Sequence, residues 1–399
     1  MTTHSLLSSK ATRTAATVPL LEKGFRPFFL LGAGFAALAV PLWLLALRGG
    51  LQPGGQFGAM QWHAHEMLFG FSIAIIAGFL LTAVGNWTGR ETAIGWPLAG
   101  LAALWAAGRG ALFFAEHLPR YAPALIDLAF LPALALACAL PVVAVRNHRN
   151  YGFIALILGL WVANGVAHFA ALQGDLATVR TAHRVALDAI VLMTVLVTGR
   201  IVPMFTRNAT RVDSIRSVRS LDIGSIAAVL ALTLADVGSV ASGLSAAFAA
   251  AAGVLLLARM RFWGSLRTAQ QPLLWILHLG TLWLPLGLLL RAASALTPVI
   301  PESSSLHALT AGAIGLLTLG MMARVSLGHT GRMLTLPRGM QASFLCLLAA
   351  GLIRVAAPLL PGSQYLLALT VATVAWSTAF ALFLVKYWTI LVSPRADAR

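Results

Sequence analysis

Twelve apolar runs divide the chain, and they limit its possible folds more than any other feature. They lie near residues 28–47, 62–85, 94–115, 122–145, 152–172, 178–202, 222–240, 244–260, 272–292, 306–326, 340–358 and 364–390. A helix needs about 20 apolar residues to cross a bilayer, and most of the runs reach or approach this length. The sequence therefore predicts an all-α polytopic membrane bundle of about twelve transmembrane helices.

Composition supports this class and excludes several others. Hydrophobic residues make up 59% of the chain and charged residues only 10%, whereas soluble domains carry about 25% charged residues. A soluble enzyme, a disordered chain and a disulfide-stabilised secreted scaffold are therefore excluded. We expect a cytoplasmic tail at residues 1–24 and a single transmembrane domain at 25–399.

The net charge of +16 is explained by membrane orientation rather than by nucleic-acid binding. Arginines concentrate in alternate loops, for example at 207–219 and 259–267. The remaining loops hold little positive charge beyond Arg48, Arg120, Arg180 and Arg291. Because positive loops stay on the cytoplasmic side, we predict a multi-pass protein of the bacterial inner membrane with both termini in the cytoplasm. We expect the protein to contact membrane lipid and not to bind nucleic acid.

A spacing pattern indicates an internal repeat. His65 precedes Arg90 by 25 residues, His183 precedes Arg207 by 24, and His307 precedes Arg332 by 25. These pairs fall on the second, sixth and tenth runs. The pattern predicts three pseudo-repeats of four helices, at approximately 25–147, 148–262 and 270–391.

Five histidines are expected near the outer ends of four helices: His63, His65, His168, His183 and His307. Ionisable side chains inside a membrane are costly and usually functional, and imidazole is a common ligand of haem iron, copper and zinc. We therefore predict that all five are candidate metal ligands. The alternative is that they are polar side chains at hydrated helix ends.

His63 and His65 are about 200° apart on a helix, so they could serve two centres on either side of it, or one could orient a ligand. Glu66 follows His63 at i+3 and is expected to share its face, where it could orient the imidazole or pass protons. A helix-start acid favoured by the helix dipole is the alternative.

The sixth run carries a second charged group. Arg184 and Asp188 have the i,i+4 spacing of an ion pair. Asp188 could relay a proton and Arg184 could hold a haem propionate, or the two could only neutralise each other. The predicted catalytic residues are therefore Glu66 and Asp188, and the predicted cofactor-binding residues are His63, His65, His183, Arg184 and His307.

Four strings resemble the NnrS family of bacterial inner-membrane proteins. They are FRPFF at 25–29, WHAHEMLFG at 62–70, RIVPMFTRN at 200–208 and MARVSLGHTGR at 322–332. The resemblance covers nearly the whole chain beyond the N-terminal tail. It implies a twelve-helix protein that binds haem and copper and is tied to nitric oxide metabolism and resistance to nitrosative stress.

The three-times-four arrangement also resembles the large subunit of haem-copper oxidases and nitric oxide reductases. His65 or His63, His183 and His307 match three of the ligand-bearing helices of that superfamily. The seventh run has no histidine, so the usual three-histidine copper site cannot be built. A copper ion or second metal would need other ligands, such as His168 or His63.

The leading hypothesis is a haem-binding protein that reduces nitric oxide, or a related small gas, to nitrous oxide at an outer-side metal site. His65 and His307 are the preferred haem ligands, and electrons would come from quinol or a redox partner. One alternative is a non-catalytic haem-based sensor or scavenger of nitric oxide. The other is a metal or small-molecule transporter.

Overall fold

The computed structural model describes residues 18–397, so most of the predicted tail lies outside the described residues. Within this range the chain forms twelve long helices. They are α1 (Phe25–Leu47), α2 (Gly55–Thr88), α3 (Trp96–Phe113), α4 (Ala122–Ala144), α5 (His148–Leu172), α6 (Leu176–Thr210), α7 (Arg219–Val237), α8 (Ser242–Met260), α9 (Pro272–Leu296), α10 (Glu302–His329), α11 (Met340–Leu359) and α12 (Gly362–Val392).

All of these helices except α3 are long and apolar enough to cross a membrane. α3 contains Arg109, which lowers its mean hydropathy. Large apolar side chains on the outside of the bundle are strongly exposed, among them Leu38 at 64%, Leu125 at 69% and Phe169 at 67%. Such a surface suits contact with lipid rather than water. The prediction of an all-α multi-pass membrane protein is confirmed.

Burial separates central helices from peripheral ones. In the most apolar window of α2, 83% of the residues are buried inside the bundle, and the fraction for α10 is 72%. The corresponding fraction for α7 is only 22%. The histidine-bearing helices α2 and α10 therefore lie in the interior, where their polar side chains are removed from lipid.

α6 is longer than the run that predicted it. It begins after Asp175, whose carboxylate accepts hydrogen bonds from the amides of Ala177 and Thr178 at 3.1 Å. It ends at Thr210, before Arg211 in the left-handed conformation. At 1.5 Å per residue, its length is about 52 Å, which exceeds the apolar thickness of a bilayer. α6 is therefore longer than an untilted membrane span requires.

Two central helices contain a π-helical segment. These segments are Glu66–Ser72 in α2 and Ala308–Ile314 in α10. Each begins at the residue directly after a histidine, His65 in α2 and His307 in α10. A π turn is wider than an α turn and often marks a functional site. It also changes the direction of the side chains that follow the histidine.

Candidate functional site

A buried cluster of His65, Asp127 and His168 lies at the histidine end of the bundle, where α2, α6 and α10 begin. Asp127 Oδ2 is 3.2 Å from His65 Nε2 and 2.9 Å from His168 Nε2. The three residues are at most 5% exposed. One ligand atom from each lies within 4.8 Å of the other two. Two imidazoles and a carboxylate in this arrangement suit copper, iron or zinc.

Asn164 holds this cluster in position from α5. Its Nδ2 donates a hydrogen bond of 2.7 Å to Asp127 Oδ2, and its Oδ1 lies 2.9 Å from His65 Nε2. Because an amide oxygen only accepts, His65 Nε2 carries the hydrogen in this metal-free contact, and binding a metal through Nε2 would release that proton. His65 Nδ1 then bears the lone pair and has no hydrogen-bond partner among the described residues.

Arg109 of α3 lies between two carboxylates. Its guanidinium donates to Glu66 Oε2 at 2.9 Å and also to Asp127 Oδ1. All three side chains are almost fully buried. With both acids ionised, the group carries a net charge of −1, which favours binding of a cation beside it. Trp105 closes this region by donating to the carbonyl of Gly70 at 3.1 Å.

The expected position of Glu66 is corrected by this arrangement. Glu66 Oε1 lies 3.7 Å from His65 Nδ1, and both atoms lack hydrogen-bond partners among residues 18–397. Glu66 is therefore associated with His65 and not with His63. The physical reason is that the π segment begins at Glu66, and that Arg109 binds its carboxylate on the His65 side.

His183 of α6 joins the same cluster. Its Nδ1 contacts Gln61 Oε1 at 3.1 Å, whereas its Nε2 is buried and has no hydrogen-bond partner in the part of the chain that the structure describes. The ring of Phe57 lies 5.1 Å from the rings of His65 and His168 and 5.9 Å from that of His183. Phe57 therefore packs against all three imidazoles. A cluster packed in this way suits a single metal ion better than a porphyrin.

His63 and His307 lie on the other side of α2. The His63 ring stacks on Trp43 with a centroid distance of 4.3 Å. His307 lies in the electrostatic field of His63, and the charge of Arg354 acts on both. The contacts of His65, preferred above with His307 as a ligand of one haem, connect it instead to Asp127 and His168, whereas His307 is connected to His63 and Arg354.

The side chains of this second group have the chemistry of haem ligands and of a propionate partner. His307 Nδ1 donates to the carbonyl of Ser303 at 2.7 Å, which leaves the Nε2 lone pair free for a metal. Both imidazoles are only partly buried. Arg354 Nη1 is buried without a hydrogen-bond partner among the described residues. A guanidinium in this state is suited to a carboxylate such as a haem propionate.

The predicted pair of Arg184 and Asp188 is not formed. Arg184 instead contacts Glu302 Oε1 at 2.5 Å, near the surface. Asp188 Oδ1 accepts from Arg291 at 2.6 Å, and Asp236 binds the same guanidinium. Arg291 lies within α9 rather than in an outer loop. Asp188 faces α9 and α7, so tertiary contacts give it a stronger partner than its neighbour in sequence.

Sequence reasoning missed Asp127 and Arg109, although a signal for both was present. Each is an ionisable residue within an apolar run, at 122–145 and 94–115. The criterion that selected the histidines applies to them equally. The same holds for Asp236 and Arg354. What the sequence could not show is which of these charges would meet.

Comparison with known proteins agrees with the architecture. No curated protein matches the chain. The family model described as NnrS protein matches residues 19–395, which includes all twelve helices and both histidine groups. The chain is therefore a multi-pass membrane protein that belongs to the NnrS family.

Proposed function

We propose that this protein handles nitric oxide at a metal ion held by His65, Asp127 and His168, and that it reduces the gas to nitrous oxide. The observation that carries the proposal is the buried His–Asp–His cluster with an adjacent unpartnered imidazole nitrogen on His183. The link to nitric oxide comes from the family. A bound copper or iron would supply the gas-binding position and transfer electrons.

The reduction joins two molecules of nitric oxide with two electrons and two protons to give nitrous oxide and water. Glu66 is the proposed proton donor, because its buried Oε1 lies 3.7 Å from His65 Nδ1 and has no hydrogen-bond partner among the described residues. Arg109 holds the opposite oxygen of this carboxylate and fixes its direction. Electrons would come from quinol or from a redox partner.

His63 and His307 are the proposed haem ligands, and Arg354 is the proposed partner of a propionate. This assignment replaces Arg184, which is paired with Glu302. Trp43 packs against His63 and would fix the plane of its ring. The two groups lie on opposite sides of α2, so a haem and a second metal would be separated by one helix.

Binding without turnover, in a sensor or scavenger, is the second candidate. Asp188 was the other predicted proton carrier, but it belongs to the separate group of Arg291 and Asp236. Glu66 is then the only proposed proton donor beside the metal ligands. A limited proton supply favours binding of the gas over its reduction.

One experiment separates these functions. The full chain is purified in detergent, its metals are quantified by mass spectrometry, and nitrous oxide is measured after anaerobic addition of nitric oxide and a quinol. If the protein reduces nitric oxide, each chain should contain a metal ion and nitrous oxide should form catalytically. A sensor or scavenger would bind the gas without forming product. Protein that contained no metal and neither bound nitric oxide nor formed nitrous oxide would contradict both hypotheses and support transport.

A matched pair of variants links the result to the cluster. Asp127→Asn removes a ligand charge and should lower metal content and product together. Asp236→Asn makes the same change in the other buried ion-pair group and should preserve both. Equal loss in the two variants would show that the effect is structural.

We further propose that the protein resides in the inner membrane with both termini in the cytoplasm. The Arg-rich segments at 207–219 and 259–267 support this orientation. A fluorescent protein fused to the C-terminus should fold and emit. Alkaline phosphatase fused at the same point should be inactive, and an active fusion would contradict the orientation.

A further inference from the structure

A cavity of about 510 Å³ lies at the opposite end of the bundle from the histidine groups. It is bordered by the C-terminal halves of α2, α6 and α10 and by the start of α5. Ligand pockets in proteins typically have volumes of roughly 300–1,000 Å³. The cavity is much larger than nitric oxide or an inorganic anion, so its size indicates an organic ligand.

The lining of the cavity contains both aromatic and cationic side chains. Aromatic side chains form much of the wall, namely Phe79, Trp87, Phe153 and Phe205. Trp87 and Phe153 stack with a centroid distance of 5.3 Å, which makes a flat apolar surface. The rim carries Asn86, Arg149, Arg200 and His329. None of the described residues lining the cavity is acidic.

The positive charge of these two arginines is not neutralised by any residue that the structure describes. Arg200 donates to Asn150 Oδ1 at 2.8 Å and to the carbonyl of Arg149 at 3.4 Å, which are both uncharged acceptors. Neither guanidinium has a carboxylate partner within residues 18–397. The two arginines are also close enough to repel each other. An anion between them would relieve this repulsion and gain charge-assisted hydrogen bonds.

We propose that this cavity binds an amphipathic anion, whose carboxylate or phosphate head group contacts Arg149 and Arg200 and whose apolar body lies against Trp87 and Phe153. Two sources share this chemistry. One is an anionic phospholipid of the surrounding bilayer, and the other is a small aromatic carboxylate. The site is distinct from both histidine groups and does not depend on the proposed metal.

The test uses the full chain, delipidated in detergent, and three probes measured by calorimetry. The probes are dihexanoyl phosphatidylglycerol, dihexanoyl phosphatidylcholine and 2-naphthoate. The phosphatidylglycerol or the naphthoate should bind, and the phosphatidylcholine should bind at least tenfold more weakly than the phosphatidylglycerol. Binding of phosphatidylglycerol alone identifies a lipid site, and binding of naphthoate identifies a small-molecule site.

Variants connect the binding to the two arginines. Arg200→Gln and Arg149→Gln should each weaken binding of the anionic probe roughly tenfold through loss of a charge-assisted hydrogen bond. Arg207→Gln, on the same helix but outside the cavity, should leave it unchanged. Arg149 is exposed, so its variant should fold even if Arg200→Gln does not. Equal binding of both phospholipids without naphthoate binding, or no effect of Arg149→Gln, would overturn the proposal.

Discussion

Arg109 Nη1 lies 2.9 Å from Glu66 Oε2, with the two side chains 8% and 1% exposed. The same guanidinium also binds Asp127, so one buried cation holds two acids from different helices. Removing one partner of a buried ion pair is strongly destabilising because the remaining charge has no compensation. The stability of this region therefore depends on Arg109.

The first prediction concerns this arginine. Arg109→Gln should lower the free energy of unfolding by about 3 to 5 kcal/mol, measured by denaturant unfolding in detergent micelles. The control is Arg120→Gln, which removes an exposed arginine bonded to the carbonyl of Leu172. The control should have little effect, and equal losses in both variants would contradict the prediction.

The second prediction concerns Gly70, which lies in the π segment of α2. A Cβ at this position would be 2.7 Å from both Glu66 Oε2 and Phe35 Cε1. Gly70→Ala should therefore displace the Glu66 carboxylate and destabilise the protein by about 1 to 3 kcal/mol. Metal content should decrease with it.

Gly100 provides the matched control, because a Cβ there would contact nothing within 4 Å. Gly100→Ala lies in α3 and should be neutral or stabilising by up to about 1 kcal/mol. If the two glycine variants unfolded at the same temperature, the crowding at Gly70 would not matter.

The third prediction concerns Arg291 and its two acids. Arg291→Gln leaves Asp188 and Asp236 facing each other without a cation, so it should be strongly destabilising. Adding Asp236→Asn removes one of the uncompensated charges and should recover about 1 to 3 kcal/mol. Unfolding of the two single variants and the double variant measures this coupling, and simple additivity would contradict it.

The fourth prediction separates the two proposed centres. His63→Ala and His307→Ala should each lower haem per folded protein, measured by the Soret absorbance of protein loaded with haem. His65→Ala should instead lower the content of the second metal and leave the haem band unchanged. Arg354→Gln should weaken haem binding through loss of the propionate contact.

His148→Ala is the control for this series, because His148 is exposed at the first residue of α5, away from both histidine groups. It should change neither cofactor. Loss of haem in His65→Ala, with normal haem in His63→Ala, would reverse the assignment of the two sides of α2.

The fifth prediction is a pH dependence at the start of α6, outside the membrane. Hydrogen bonds from Thr178 lower the pKa of Asp175 below its ordinary value of 3.8. A carboxylate whose pKa is lowered by folding stabilises the protein when the pH is above its pKa in the unfolded chain. This stabilisation is lost as the pH falls through its pKa in the folded protein. The melting temperature should therefore exceed that of Asp175→Ala at pH 5 to 8, and the difference should shrink below about pH 4. A constant difference would contradict this role.

Twelve helices could be predicted from the sequence because each apolar run is a local property. The bilayer requires every backbone polar group to be satisfied within its own helix, so length and hydropathy alone identify eleven of the twelve helices as spans. The opposite directions of His63 and His65 also followed from helical geometry. Their side chains indeed lie towards Trp43 and towards Asp127, respectively.

The partners of the buried charges were decided only by the tertiary structure. Arg184 and Asp188 have ideal spacing on one helix, yet Asp188 binds Arg291 of α9. The sequence determined that costly charges lie within the membrane, since each is visible in its own apolar run. It did not determine their pairing, because a buried charge takes the cation or acid that helix packing brings nearest, and packing depends on side chains distant in sequence.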